Sequence, residues 1–166
     1  MGWLVKRLLP KSGIAFFFGS SGLAKTFLAL EIGLRVSRGE PVDGRTAQEA
    51  GVIYIAAEDA NGVRQRVKAW VSRCSDHGAF QLIPEPPNLR DEAVMAELLA
   101  TIGAAAEEMD ADGTPLGLLV LDTLSKAAPG ADQNASADMG EVMARLEAIS
   151  VKFNCLVLVV AHPPKD

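Results

Sequence analysis

Four short runs of this sequence are apolar at almost every position, and they constrain the fold more than any other feature. They span residues 14–18 (IAFFF), 52–57 (VIYIAA), 116–121 (LGLLVL) and 156–161 (LVLVVA). A strand with one face in water would alternate apolar and polar residues, so continuous apolar runs predict strands that are buried on both faces. Strands of this kind belong to parallel sheets that are covered by helices on both sides.

The segments between these runs have helical patterns, which completes an alternation of strands and helices. We predict helices from residue 25 to a stop at Gly39 and Pro41 and over 61–74, 91–109 and 138–153, a short strand over 80–83, and a loop over 126–137. The predicted fold class is therefore α/β, with a mostly parallel central sheet, helices on both faces and right-handed crossovers.

The chain has 166 residues, which fits a single domain. We predict one domain over 1–166, with its core from about residue 13. The fourth apolar run ends at Ala161, and the sequence ends five residues later. Such an abrupt end favours a C-terminally truncated fragment of a longer protein.

Composition limits the partners of this domain. The net charge of −5 argues against a strongly basic surface for nucleic acid, although a local basic patch is compatible with it. The longest apolar stretch, 155–162, is too short to cross a bilayer, so no membrane association is expected. The two cysteines, Cys74 and Cys155, lie far apart and predict reduced thiols in a cytoplasmic protein, without a zinc site.

Residues 19–26 (GSSGLAKT) match a phosphate-binding loop at all but one defined position. The pattern G-x-x-x-x-G-K-[ST] has Gly19, Lys25 and Thr26 in place, but Ala24 replaces the second glycine. The loop lies between a predicted strand and a predicted helix, where backbone N–H groups and a helix N-terminus attract phosphate. The predicted phosphate contacts come from Ser20, Ser21, Gly22, Leu23, Ala24, Lys25 and Thr26, with the Thr26 hydroxyl as a Mg²⁺ ligand.

The substitution of glycine by Ala24 has two readings. A positive φ at this position would make alanine unfavourable by roughly 1–2 kcal/mol. A right-handed conformation would make alanine harmless and even favour the helix. In both cases the backbone N–H that contacts phosphate remains.

Each of the other strong strands ends in a polar residue suited to nucleotide chemistry. Asp122 follows the third run, as in a Walker B motif that holds Mg²⁺, and a turn-capping aspartate is its alternative. Glu58 follows the second run and is a candidate base for an attacking water, while Asp59 is better explained as the cap of the next helix. His162 follows the fourth run and could sense nucleotide state, although a lone histidine there is more often a packed or solvated side chain.

These residues lie in stretches that resemble the RepA-like branch of the RecA-type ATPases, the hexameric replicative helicases of plasmids and phages. The resemblance runs from about Gly13 to the end of the chain and includes GSSGLAKTFLALEIGL, GRTAQEAGVIYIAAEDANGVRQRVKAW, LLVLDTLSKAAPGADQNASADMGEVM and VLVVAHPPKD. The last two stretches are its most specific part.

The resemblance implies a RecA-like P-loop domain that binds ATP and Mg²⁺. It implies Lys25 and Thr26 at the phosphates, Thr26 and Asp122 at the metal, Glu58 as catalytic base and His162 as sensor. It also implies self-association into a hexameric ring in the full-length protein, with single-stranded DNA as a candidate partner. Pro163 departs from the family pattern, and the family's arginine finger and much of its DNA-contacting region lie beyond residue 166.

Two functions are compatible with this sequence. The first is the motor core of a replicative helicase, with Glu58, Lys25 and His162 as its catalytic residues. The second is a nucleotide-binding regulatory or remnant module that hydrolyses little ATP and acts through protein partners. The basic cluster of Arg64, Arg66 and Lys68 could contact DNA or a neighbour's nucleotide, but a solvated helix face explains it more simply.

Overall fold

A five-stranded parallel sheet forms the centre of the computed structural model, which describes residues 2–20, 24–131 and 136–163. The strands, in chain order, are β1 (Trp3–Val5), β2 (Leu9–Pro10), β3 (Gly13–Phe18), β4 (Gly51–Ala56), β5 (Phe80–Ile83), β6 (Leu116–Asp122) and β7 (Leu156–Ala161). The order across the central sheet is β3-β7-β6-β4-β5, and every neighbouring pair in it is parallel. The parallel central sheet predicted from the sequence is confirmed.

Helices cover both faces of this sheet. They are α1 (Lys25–Val36), α2 (Ala60–Cys74), α3 (Glu92–Ala111), α4 (Leu124–Ala127) and α5 (Ser136–Phe153). One apolar cluster joins α1 and α2 to one face, and a second cluster joins α3, α4 and α5 to the opposite face. The predicted two-sided helical covering is therefore confirmed.

The alternation of side chains along β4 explains why its sequence is apolar throughout. Val52, Tyr54 and Ala56 belong to the cluster beneath α1, whereas Ile53 and Ile55 belong to the cluster beneath α3. Successive side chains of a strand point to opposite faces, so a strand that is covered on both sides has no position left for solvent. All six residues of β4 are buried.

The structure differs from the sequence-based expectation in the region predicted as a loop over 126–137. Lys126 and Ala127 belong to the short helix α4, and residues 136 and 137 already lie in α5. Leu124 and Ala127 are both buried, and their spacing of three places them on the same side of one helical turn. Residues 132–135 of the predicted loop lie outside the described residues.

A two-stranded hairpin precedes the sheet, in a segment to which the sequence assigned no element. Strands β1 and β2 pair antiparallel. Leu4, Val5 and Leu9 are buried in the cluster on the α1 side, so residues before Gly13 also contribute to the core. Among the described helices, none is long and apolar enough to cross a membrane.

The register of the sheet brings the carboxyl ends of four strands to one edge. Phe18 of β3 pairs with Ala161 of β7, and Asp122 of β6 lies between Val160 and Ala56. In open α/β sheets, ligands bind beyond this edge. The residues that directly follow these strands are therefore neighbours in space.

Candidate nucleotide site

A cleft of about 390 Å³ lies at this edge of the sheet. Its lining residues come from the start of α1, from α2 and from the segments after β4, β6 and β7: Ala24, Lys25, Thr26, Phe27, Glu58, Arg66, Thr123, Val160 and His162. Four of the residues singled out from the sequence as catalytic or metal-binding, Lys25, Thr26, Glu58 and His162, therefore share one cavity. Ser21, Gly22 and Leu23 lie outside the described residues.

Lys25 is buried to an unusual degree for a lysine, with 6% of its surface exposed. Its Nζ donates to the carbonyl oxygen of Ser20 at 2.8 Å and lies 3.2 Å from Nδ1 of His162. An ammonium group can only donate, so Nδ1 accepts and the imidazole proton of a neutral ring resides on Nε2. The geometry joins the predicted phosphate-binding lysine directly to the predicted sensor.

Ala24 has a left-handed conformation, with φ 55° and ψ 24°, at the N-cap of α1. The structure therefore supports the first of the two readings, in which alanine is strained relative to glycine. Its side chain makes no capping hydrogen bond. The N-terminus of α1 consequently has no side-chain cap from this position, and free N–H groups at a helix start favour an anion.

Asp122 is 3% exposed, and its two carboxylate oxygens have different surroundings. Oδ2 accepts a hydrogen bond of 2.7 Å from the Tyr54 hydroxyl, whereas Oδ1 is buried and finds no hydrogen-bond partner among the described residues. Burial and the neighbouring Asp122 carboxylate hold the pKa of Tyr54 well above its usual value, so this hydroxyl stays protonated and remains a donor. The unsatisfied Oδ1 fits a carboxylate prepared for a cation or its water shell.

The donor set also suits magnesium better than a metal with an all-protein shell. Within the described residues, no group of three or more His, Cys, Asp and Glu side chains could hold a metal ion. Magnesium keeps several waters and is bound by one or two protein groups together with substrate phosphates. Asp122 with the Thr26 hydroxyl would be such a pair, so these residues fit the ion that the sequence implied.

Glu58 lies at the mouth of the cleft, exposed to solvent. One carboxylate oxygen, Oε2, accepts a hydrogen bond of 3.3 Å from the Thr123 hydroxyl, which itself lies 3.1 Å from the Ser125 hydroxyl. Asp59 instead accepts a hydrogen bond from the Gly62 N–H at 2.9 Å and caps α2, as predicted. The two adjacent acids therefore have separate roles, and only Glu58 lines the cleft.

Arg66 corrects the prediction that the three basic residues of α2 form one exposed face. Arg64 and Lys68 are exposed, but Arg66 is half-buried and lines the cleft with its guanidinium 5.8 Å from the centre of the Phe27 ring. The spacing contained the signal, because Arg66 lies three residues after Val63 and four before Trp70, on the packed side of the helix.

Tyr54 and Thr123 are the other site residues that the sequence analysis missed. Tyr54 is the single tyrosine of the chain, and a buried tyrosine hydroxyl usually requires a hydrogen-bond partner. That signal indicates a polar neighbour but does not identify it, because Asp122 lies on a different strand. Thr123 follows Asp122 directly and is 2% exposed.

Comparison with known proteins supports the fold and the family. The model of a family described as AAA domain (AAA_25) matches residues 1–166, and no curated protein sequence matches the chain. Among solved structures, the crystal structure of the RadB recombinase is similar, with 21% identity, a TM-score of 0.57 and coverage of 92% of this chain. The match covers 63% of the RadB chain, less than two thirds of its length. The chain therefore belongs to the AAA domain family and has the RecA-like fold of the P-loop ATPases.

Proposed function

We propose that this chain binds ATP with Mg²⁺ in the cleft at the strand ends and hydrolyses it as the motor core of a replicative DNA helicase of the plasmid and phage type. The observation that carries the proposal is the buried ammonium of Lys25. Its two hydrogen-bond partners in the described part of the chain, Ser20 and His162, are neutral acceptors. A buried charge without an opposite charge is unfavourable, and an entering triphosphate would supply that charge.

Each residue has a distinct task in this proposal. The Lys25 ammonium and the start of α1 bind the phosphates. Glu58 accepts a proton from the attacking water, and the Thr123 hydroxyl orients its carboxylate. The Thr26 hydroxyl and Asp122 would hold Mg²⁺, which neutralises charge on the β- and γ-phosphates when it is bound.

His162 would report whether nucleotide is present. Its Nδ1 accepts from the same ammonium that binds phosphate. A phosphate oxygen that takes over this hydrogen bond would change the hydrogen bonding of the imidazole, which directly follows β7. The distance of 3.2 Å between the two side chains supports this coupling.

The helicase part of the proposal rests on the stretches that resemble the RepA-like branch. It includes a ring of subunits, expected to be hexameric, around single-stranded DNA. The whole-chain charge of −5 implies that any DNA contact is local, and such a contact would weaken steeply with salt.

The first test measures the affinity for Mg-ATP by calorimetry in the wild type and in Lys25→Ala. Hydrogen bonds to charged groups contribute about 1.5–3 kcal/mol, so we expect the variant to bind about 10- to 100-fold more weakly. Lys68→Ala is the matched control, because Lys68 is exposed on α2 and does not line the cleft. Equal affinity in all three proteins would contradict a nucleotide site at Lys25.

The second test separates hydrolysis from binding. Glu58→Gln keeps the shape of the side chain but removes the base, so Mg-ATP affinity should persist while turnover falls by about 10²–10⁴-fold. Turnover of the wild type should also rise when single-stranded DNA is added. If turnover is equal in the wild type and Glu58→Gln and DNA has no effect, the regulatory or remnant module is the correct function.

A further inference from the structure

Tyr54 is a polar side chain in the middle of β4, a strand whose residues are all buried. It is 0% exposed and lies in the apolar cluster between the sheet and α1. Its ring lies 6.2 Å from the ring of Phe80, centre to centre, in a tilted arrangement. Packing alone would be equally well served by phenylalanine, so the hydroxyl needs a separate explanation.

The hydroxyl reaches diagonally across the sheet. Tyr54 pairs in register with Val120 of β6, and Asp122 lies two residues farther along the same strand. Residues two apart on a strand point to the same face of the sheet. The Tyr54 hydroxyl and the Asp122 carboxylate therefore lie on the same face, where they can form a hydrogen bond. The resulting hydrogen bond to Oδ2 is 2.7 Å long, typical of a charge-assisted O–H···O⁻ contact.

The same hydroxyl also lies beside the other residue assigned to the metal. Its oxygen is 3.5 Å from the backbone carbonyl oxygen of Thr26 in the first turn of α1. A hydroxyl has one proton, so the much shorter contact to Asp122 is the hydrogen bond. Tyr54 therefore lies between the two residues that would hold Mg²⁺, one on the helix and one on the sheet.

The hydrogen bond determines which oxygen of Asp122 remains available. With Oδ2 engaged by Tyr54, the buried Oδ1 has no partner among the residues that the structure describes. A carboxylate that is fixed through one oxygen cannot turn freely about its Cβ–Cγ bond. The free oxygen is therefore held in one direction before any ligand arrives.

We propose that Tyr54 is a positioning residue of the magnesium site, whose hydroxyl holds the Asp122 carboxylate so that Oδ1 is presented to the ion or its waters. The inference rests on the proposed function, since it assigns magnesium to Asp122. A hydroxyl that only satisfies a buried acceptor would stabilise the fold without influencing metal dependence. A positioning hydroxyl must influence the part of nucleotide binding that requires Mg²⁺.

The experiment compares the wild type with Tyr54→Phe, which removes the hydroxyl and keeps the ring. ADP affinity is measured by calorimetry with excess MgCl₂ and again with EDTA. The ratio of these two affinities is the magnesium-dependent gain of each protein. Loss of groups that orient metal ligands typically lowers metal affinity about 10- to 100-fold. We expect that gain to fall by about tenfold or more in Tyr54→Phe, with the affinity in EDTA unchanged.

Ser150→Ala is the matched control. Ser150 is also buried, and its hydroxyl binds the Cys155 carbonyl at 2.7 Å and the Gly13 N–H at 2.8 Å, at the opposite end of the sheet. This variant should lose stability but keep the full magnesium-dependent gain. A loss of that gain in the control would mean that general destabilisation causes the reduced gain in Tyr54→Phe, and it would overturn the inference.

The remaining outcomes separate this inference from the proposed function. An unchanged magnesium-dependent gain in Tyr54→Phe, with nucleotide bound normally by the wild type, overturns the role of Tyr54 alone. An equal loss with and without Mg²⁺ makes the hydroxyl purely structural and also overturns it. If the wild type binds no nucleotide under either condition, the proposed function fails, and the inference fails with it.

A spectroscopic measurement on the wild type gives the same test if Tyr54→Phe does not fold. Because the chain has one tyrosine, a ¹³Cζ-tyrosine label gives a single resonance. We expect that resonance to shift when MgCl₂ is added to the ADP complex, because the carboxylate that accepts the tyrosine proton then acquires a second partner. A resonance that moves with ADP but not with subsequent Mg²⁺ would contradict the inference.

Discussion

At the scale of single residues, Ala24 shows a conflict between backbone conformation and side chain. The left-handed conformation at φ 55° is one that glycine adopts freely and alanine adopts with strain. We expect Ala24→Gly to raise the free energy of unfolding by roughly 0.5–1 kcal/mol. The stability gained by relief of backbone strain exceeds the stability lost because glycine increases the entropy of the unfolded chain. Urea unfolding followed by circular dichroism measures the change.

Ala96 provides the control for this substitution. It is exposed in the interior of α3, where the backbone is right-handed helical. Glycine there should lower the free energy of unfolding by about 1 kcal/mol. Opposite signs for the two variants would support strain at position 24. A destabilised Ala24→Gly would mean that the alanine methyl group makes favourable contacts that outweigh the strain.

The candidate site residues that line the cleft share a simple positional rule. Lys25, Glu58 and His162 each follow an apolar run, and the carboxyl ends of parallel strands meet at one edge. Tyr54 and Arg66 are not placed by this rule, because a strand interior and a helix face acquire their neighbours only through register and packing. The sequence thus predicted several residues at the ends of elements but missed Thr123, which directly follows β6, and it missed the two site residues that lie within elements.

At the scale of elements, α2 separates its basic residues between two environments. Arg66 lines the cleft, whereas Arg64 is exposed on the same helix. We expect Arg66→Ala to weaken Mg-ATP binding about tenfold or more, because it removes a positive charge beside the phosphate site, and Arg64→Ala to change it less than about twofold. Calorimetry on both variants at 0.15 M salt makes the comparison.

Arg66→Lys refines this result. Lysine keeps the charge but lacks the planar guanidinium that stacks on the Phe27 ring. Partial recovery of affinity would indicate that charge acts at the site, and full loss would indicate that the position of the guanidinium is decisive. Equal effects of Arg66→Ala and Arg64→Ala on Mg-ATP affinity would mean that Arg66 does not contribute to the site and acts as part of a solvated helix face, as the sequence first suggested.

The elements that the sequence predicted are the long ones with a strong pattern. The four apolar runs became β3, β4, β6 and β7 with small shifts at their ends, and the short strand over 80–83 became β5. The hairpin β1–β2 and the helix α4 were missed because they contain too few residues for a periodic pattern. Their stability comes from tertiary packing, through buried side chains such as Leu4 and Leu124.

At the scale of the whole molecule, the two apolar layers meet at one central sheet. The reactivity of Cys155 depends on whether that sheet stays closed. It directly precedes β7, which lies between β3 and β6, and it is 0% exposed. Burial raises the pKa of its thiol to about 12. The thiolate is the reactive form, so burial protects Cys155 both by shielding and by keeping the proton in place. Reaction at pH 8 therefore requires that the central sheet opens.

We expect a thiol reagent at pH 8 to label Cys74 rapidly and Cys155 only at the rate of global unfolding. Cys74 is half-buried at the end of α2, where local fraying exposes it, and Cys74→Ser isolates the slow reaction.

If nucleotide binds where four strand ends meet, saturating Mg-ATP should slow the labelling of Cys155 in proportion to the stability that binding adds and leave Cys74 unaffected. Mass spectrometry of the two peptides follows both reactions. Fast labelling of Cys155 in the native protein would mean that β7 opens locally, and the sheet would then not behave as one cooperative unit.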